Sequence, residues 1–148
     1  MIIDTIYILL LSGIAIPCDL LKAVAERRTK VKIDFSDLKL SLISIFELQA
    51  KASKLGISPK RVSRAIDVIF RAFNVVPFYD SDIIEKAHEL HRVIPDYVDS
   101  IVLATAIHLK EDLATEDSIL RSMKSYAEEK YGIRILDYHE ITTYCMIE

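Results

Sequence analysis

Glycine and proline are scarce in this chain, three and four among 148 residues, so no part of it reads as a linker or a disordered tract. Cysteine is nearly absent. Cys18 and Cys145 stand far apart, with no CxxC pair and no histidine at zinc-ligand spacing. That excludes a disulfide framework and a structural zinc site, and it points to two reduced thiols in a cytoplasm. There is no excess of positive charge either. Nineteen basic against 22 acidic residues give a net charge of −3, so any affinity for nucleic acid must come from local patches rather than a global field. The chain lacks a G-x-G-x-x-G run, which argues against a dinucleotide-binding domain, and it shows no internal repeat. The apolar stretch from Ile6 to Pro17 is too short to cross a bilayer and follows Asp4 with no Lys or Arg before it. It reads as buried packing, and no membrane association is expected.

What is present is a core. A hydrophobic fraction of 51 % in a chain of this size fits a single domain over residues 1–148. Extended and helical patterns alternate along it. Met1 to Asp4, Leu38 to Ile45, Asn74 to Phe78, Leu113 to Thr115 and Ile133 to Leu136 read as strands. Between them, helices are predicted over Ile16 to Arg28, Phe46 to Leu55, Ser58 to Phe73, Ser81 to Arg92, Val98 to Lys110 and Ser118 to Tyr131. Gly56 and Gly132 fall at helix ends, and Ser58-Pro59 is a cap followed by a favourable first helical residue. The Val98 to Lys110 helix is apolar nearly all round, as expected of one lying against a sheet. This βαβ alternation predicts an α/β fold: a mostly parallel sheet of four to five strands with helices on both faces.

Four acids sit where strands pass into helices: Asp4, Glu47, Asp99 and Asp117. Singly, each has a local explanation. Ser44-Ile45-Phe46-Glu47 fits a capping box, Asp96 and Asp99 fit an N-cap and a third helical residue, and Asp117 fits a cap on the helix opening at Ser118. Capping does not, however, predict convergence. In a parallel sheet the C-terminal strand ends share one edge, so Asp4, Glu47 and Asp117 would face one crevice, with Asp99 presented nearby by its helix. Carboxylates gathered in this way repel one another unless a divalent cation takes up the charge, and an all-oxygen set favours Mg²⁺ or Mn²⁺.

Ile2-Ile3-Asp4-Thr5, the Ser44 to Glu47 step with Leu48-Gln49-Ala50-Lys51, the run Asp99 to Ala106, and Thr115-Glu116-Asp117 together resemble the PIN-domain nucleases, most closely the VapC-type toxin ribonucleases. The resemblance implies a three-layer α/β/α sandwich and hydrolysis of RNA phosphodiester bonds with Mg²⁺ or Mn²⁺. Asp4, Glu47, Asp99 and Asp117 would be the catalytic and metal-binding set, with Thr115 and Thr5 supporting it. Asp96, one helical turn before Asp99, is read as an N-cap at the margin of the site. Three departures from the family pattern are visible: Ile6 where a polar residue is common, Glu116 beside Asp117, and Lys110-Glu111-Asp112 in place of a glycine-containing turn.

Substrate contact would need local positive charge. Arg27, Arg28, Lys30 and Lys32 form one basic stretch, and Lys51, Lys54, Lys60, Arg61 and Arg64 another, although solvated helix faces account for both more simply. His88 and His91 are spaced as a helical pair but read as surface and core-edge residues; His108 and His139 join no recognisable constellation. The expected function is a metal-dependent endoribonuclease, the toxin of a type II toxin–antitoxin pair, with RNA as substrate and an antitoxin as partner. A housekeeping RNA-processing nuclease and a non-catalytic binding module of the same fold stand as alternatives. Apolar surface between Phe46 and Phe73 is expected to serve an antitoxin or a homodimer.

Overall fold

In the computed structural model, which describes residues 1–143, five short strands build one parallel sheet in the order β3-β2-β1-β4-β5. Cys145 lies outside the described residues. In chain order, β1 (Ile2–Ile3) leads into a 3-10 helix, Thr5–Ser12, and then α1 (Leu20–Ala25). After a one-turn 3-10 segment at Phe35–Asp37 come β2 (Lys39–Ser41), α2 (Leu42–Lys54), α3 (Pro59–Ala72) and β3 (Asn74–Val76). The second half runs through α4 (Ser81–Leu90), α5 (Tyr97–Leu109), β4 (Leu113–Ala114), α6 (Ser118–Ser122), α7 (Lys124–Tyr131), β5 (Ile135–Leu136) and α8 (Tyr138–Ile141). All strand pairings are parallel, as βαβ connections require.

Alternation along the strands divides the core into two layers. Ile3 and Ala114 point into one, packed by the Thr5–Ser12 helix and by Leu20, Leu48 and Ile69 from α1, α2 and α3. Ile2 and Leu113 point into the other, against Ile83 and Leu90 of α4, Ile101 to Ala106 of α5, Leu120 and Ala127. Residues Ser100 to Ala106 of α5 are buried all round, which explains why that helix has almost no polar face.

Several boundaries depart from the sequence pattern. The helix predicted over Ile16 to Arg28 is confined to Leu20–Ala25, opened by Asp19 capping Lys22 N–H at 2.9 Å and closed before Arg27, whose φ is +56°. Residues 118–131 form two helices, broken at Met123. The strand predicted over Leu38 to Ile45 stops at Ser41, and α2 begins three residues earlier than the capping box places it. Ser41 is therefore the N-cap, and Ser44 lies inside the helix with its hydroxyl buried and without a hydrogen-bond partner among the described residues. The capping-box role for Glu47 is thereby removed. The short helix α8 has no apolar period long enough to be read from sequence. It is docked by an antiparallel bridge between Thr29 and Thr142.

Candidate metal centre

The strand order reverses direction between β1 and β4: β2 and β3 extend the sheet on one side, β4 and β5 on the other. At such a switch point the connections leave in opposite directions and open a crevice at the C-terminal strand ends. Asp4 follows β1 there, its N–H donating to Ala114 O at 3.0 Å, and Asp117 follows β4. Glu47 arrives from the second turn of α2 and Asp99 from the first turn of α5. All four predicted acids line one cleft of about 320 Å³, together with Asp96, Glu116, Ile6 and Lys51.

The supporting threonines are placed differently from one another. Thr115, fully buried, donates its hydroxyl to Asp4 Oδ2 at 2.6 Å and accepts Asp117 N–H at 3.0 Å, so one side chain fixes two of the acids. Thr5 contributes its backbone N–H to Asp4 Oδ1 at 2.7 Å, while its buried hydroxyl makes no hydrogen bond within the described residues. Asp117 also caps α6, accepting Leu120 N–H at 2.8 Å, and Asp96 caps α5 through Val98 N–H at 2.7 Å. Capping and site geometry thus coexist, because a carboxylate has lone pairs left after accepting one N–H.

Electrostatically the cleft is unfavourable to its own charges. Burial pushes the Asp4 carboxyl above the ordinary aspartate range, against the lowering effect of the Thr115 and Thr5 hydrogen bonds, and Glu47 and Asp117 raise it further. Asp99 is pushed up to about 7 by burial first and then by Asp4, Asp117, Asp96 and Glu47. The donor set is all oxygen, from four separate segments, with no described thiol or imidazole lining the cleft. Such a set suits a hard divalent cation such as Mg²⁺ or Mn²⁺, which would relieve the mutual repulsion.

Residues 14–126 match the PIN domain. The chain belongs to the PIN domain family. The match covers Glu47, Asp99 and Asp117, whereas Asp4 lies ahead of it and is placed by its pairing beside β4. The fold is also similar to that of a solved toxin–antitoxin complex from Klebsiella pneumoniae, at 24 % identity and a TM-score of 0.58, over 95 % of this chain and 98 % of that one. No curated protein matches the chain. PIN domains are in general nucleases, and the three-layer parallel sandwich found here is the architecture that the family resemblance implied.

The departures from the family pattern now have structural content. Glu116 adds its charge to the cleft of this PIN domain, but its Oε1 accepts the Tyr7 hydroxyl and the Tyr138 N–H, both at 2.6 Å, tying the 3-10 helix and α8 to the site's flank. Lys110 makes the turn after α5 in a left-handed conformation, φ +54°, that glycine would adopt without strain. Of the basic residues singled out in the sequence, Lys51 lines the cleft, while Arg28 pairs with Glu26 and Lys32 with Asp34. His88 and His91 flank Tyr97 edge-on, at 5.5 and 5.4 Å between ring centres, and both are exposed on the surface. His108 does gain neighbours: its ring nitrogen and the carboxylates of Asp80 and Asp82 lie within 4.8 Å of one another. All three are exposed, and nine residues of helix, roughly 14 Å of rise, separate His108 from Asp99.

Proposed function

We propose that this PIN domain is a Mg²⁺- or Mn²⁺-dependent endoribonuclease that acts in the cytoplasm as the VapC-type toxin of a type II toxin–antitoxin pair. The observation that carries the reading is the meeting of Asp4, Glu47, Asp99 and Asp117, from four separate segments, in one cleft at the switch point of the sheet. These four would hold the metal. Bound there, a divalent ion supplies charge neutralisation at the scissile phosphate and acidifies water at neutral pH.

The chain's own residues account for the rest. Thr115 orients the Asp4 carboxylate and anchors the Asp117 backbone, while Leu120 N–H holds the Asp117 carboxylate, so both acids are oriented before an ion arrives. Asp99, raised to about 7, can carry a proton in the metal-free protein and release it when cationic charge arrives.

The antitoxin reading draws support from the surface of α2 and α3. Phe46, Leu55, Val68 and Phe70 are exposed, and a groove of about 480 Å³ lined by Ile57, Val62 and Ile66 runs between the two helices. Apolar surface of this kind fits burial by an antitoxin or by a second copy of the chain. The structural neighbour from Klebsiella is itself a toxin–antitoxin complex, which agrees with the first choice.

Cleavage of a single-stranded RNA by wild type and Asp4→Asn, each with Mg²⁺ or Mn²⁺ and with EDTA, tests the proposal. Cleavage by wild type with metal, lost in EDTA and reduced by a hundredfold or more in Asp4→Asn, is the expected result. Equal activity in Asp4→Asn, or activity that survives EDTA, would sink the assigned site.

A further inference from the structure

A cleft that holds six carboxylates is a poor host for a polyanion. Asp4, Glu47, Asp96, Asp99, Glu116 and Asp117 all line it, and Lys51 is the one cationic residue among the described lining residues. A divalent ion offsets part of that charge, but the RNA strand must still enter past the rim.

Lys51 is placed on that rim by helix geometry. It lies four residues after Glu47, one turn further along α2, with Nζ 3.5 Å from Glu47 Oε1. The Lys51 side chain is 50 % exposed against 23 % for Glu47, so the lysine reaches into the cleft from solvent while the acid sits deeper. A half-exposed i,i+4 pair of this length adds little to helix stability, so the ammonium can leave Glu47 at small cost. Glu47 is also one of the four acids proposed to face the metal, and a cation arriving there would compete with the lysine for the same carboxylate. Once displaced, the ammonium remains on the rim, tethered to α2 by a flexible four-carbon stem.

We infer that Lys51 is a substrate-binding residue of the cleft, paired with Glu47 while the cleft is empty and transferred to a phosphate of the RNA strand when substrate and metal are bound. The inference rests on the nuclease reading and names the group that receives the strand. In the free protein the lysine also acts as a partial stand-in for the ion, so its removal should favour metal binding. A lysine that served only Glu47 would affect metal binding and leave RNA binding untouched.

Three measurements on wild type, Lys51→Met and Lys51→Arg separate these roles. In steady-state cleavage of a short single-stranded RNA with Mg²⁺, Lys51→Met should raise KM roughly tenfold or more with a smaller change in kcat, and Lys51→Arg should recover most of the loss. In equilibrium binding of the same RNA with Ca²⁺ in place of Mg²⁺, the slope of log K against log salt should become shallower by about 0.7 in Lys51→Met, the value for one lost phosphate contact on a single strand. Titration with Mn²⁺ alone should show binding to Lys51→Met at least as tight as to wild type.

Unchanged KM and unchanged salt slope in Lys51→Met, with wild type active, would overturn the inference while leaving the nuclease reading intact. Weaker Mn²⁺ binding in Lys51→Met would overturn the displacement step. A wild-type protein that neither cleaves nor binds RNA with any of these ions would overturn the nuclease reading itself, and this inference with it.

Discussion

Thr115 carries more of the site than its size suggests. Its hydroxyl donates to the buried Asp4 carboxylate and accepts from Asp117 N–H, so replacing it with the isosteric Val leaves two buried or half-buried groups without a partner. Thr115→Val should cost roughly 1–3 kcal/mol in urea unfolding and weaken Mn²⁺ binding by roughly ten- to a hundredfold, whereas Thr115→Ser should preserve both. A Val variant with unaltered metal affinity would show that the hydroxyl does not organise the acids. Glu116 illustrates the opposite relation. Sequence presents it as surplus charge beside Asp117, and its hydrogen bonds to Tyr7 and Tyr138 make it a brace between the 3-10 helix and α8.

At the scale of the element, the start of α2 decides how Glu47 is read. With Ser44 as N-cap, Glu47 would be spent on a backbone N–H; with Ser41 as N-cap, it stands in the second turn facing the cleft. The two placements predict different mutational costs. Ser41→Ala should destabilise by about 1 kcal/mol through loss of the cap to Ile43 N–H, while Ser44→Ala should be neutral or slightly stabilising, because it removes a buried hydroxyl with no partner among the described residues. Thermal unfolding of the two variants checks this, and a larger loss in Ser44→Ala would restore the capping box. The misplaced boundary has a physical cause. Leu40 to Ile45 is a continuous run of apolar and small residues that suits a buried strand as well as a buried helix, and periodicity alone cannot divide it.

For the whole molecule, the raised carboxyls of the cleft make stability depend on pH, and a cation bound there would make it depend on metal as well. An aspartate ordinarily titrates near 3.8, and Asp99 in the folded protein is raised to about 7. Between those values the folded state keeps a proton that the unfolded state has released, so the Asp99 contribution to stability falls as pH rises through this window and levels off above it. Asp4, raised by burial, acts in the same direction. Asp99→Asn should therefore be more stable than wild type at pH 8 in EDTA, with the gap closing toward pH 4, and Mn²⁺ should stabilise wild type more than the variant. A gap independent of pH would remove Asp99 from the coupled cluster. Carboxylates lowered by ion pairs, such as Glu111 beside Lys39, produce the ordinary acid instability in both proteins and cancel in the comparison.

The sequence by itself determined the alternation of strands and helices, the two-sided burial of α5, and the four acids as a set, because apolar period, turn residues and strand-end position are local properties of the chain. It also offered local capping explanations for Glu47, Asp96, Asp99 and Asp117, and for Asp96 and Asp117 the caps are real. Only the tertiary structure decided the strand order that makes β1 and β4 neighbours and so brings Asp4 beside Asp117, since pairing is a long-range choice that no window of sequence contains. It also gave Glu47 to the cleft instead of a cap, Glu116 to Tyr7 and Tyr138, and Lys51 to the rim as the cation beside the acids. Each of those assignments depends on which side chains meet across layers, and that is settled by packing rather than by spacing along the chain.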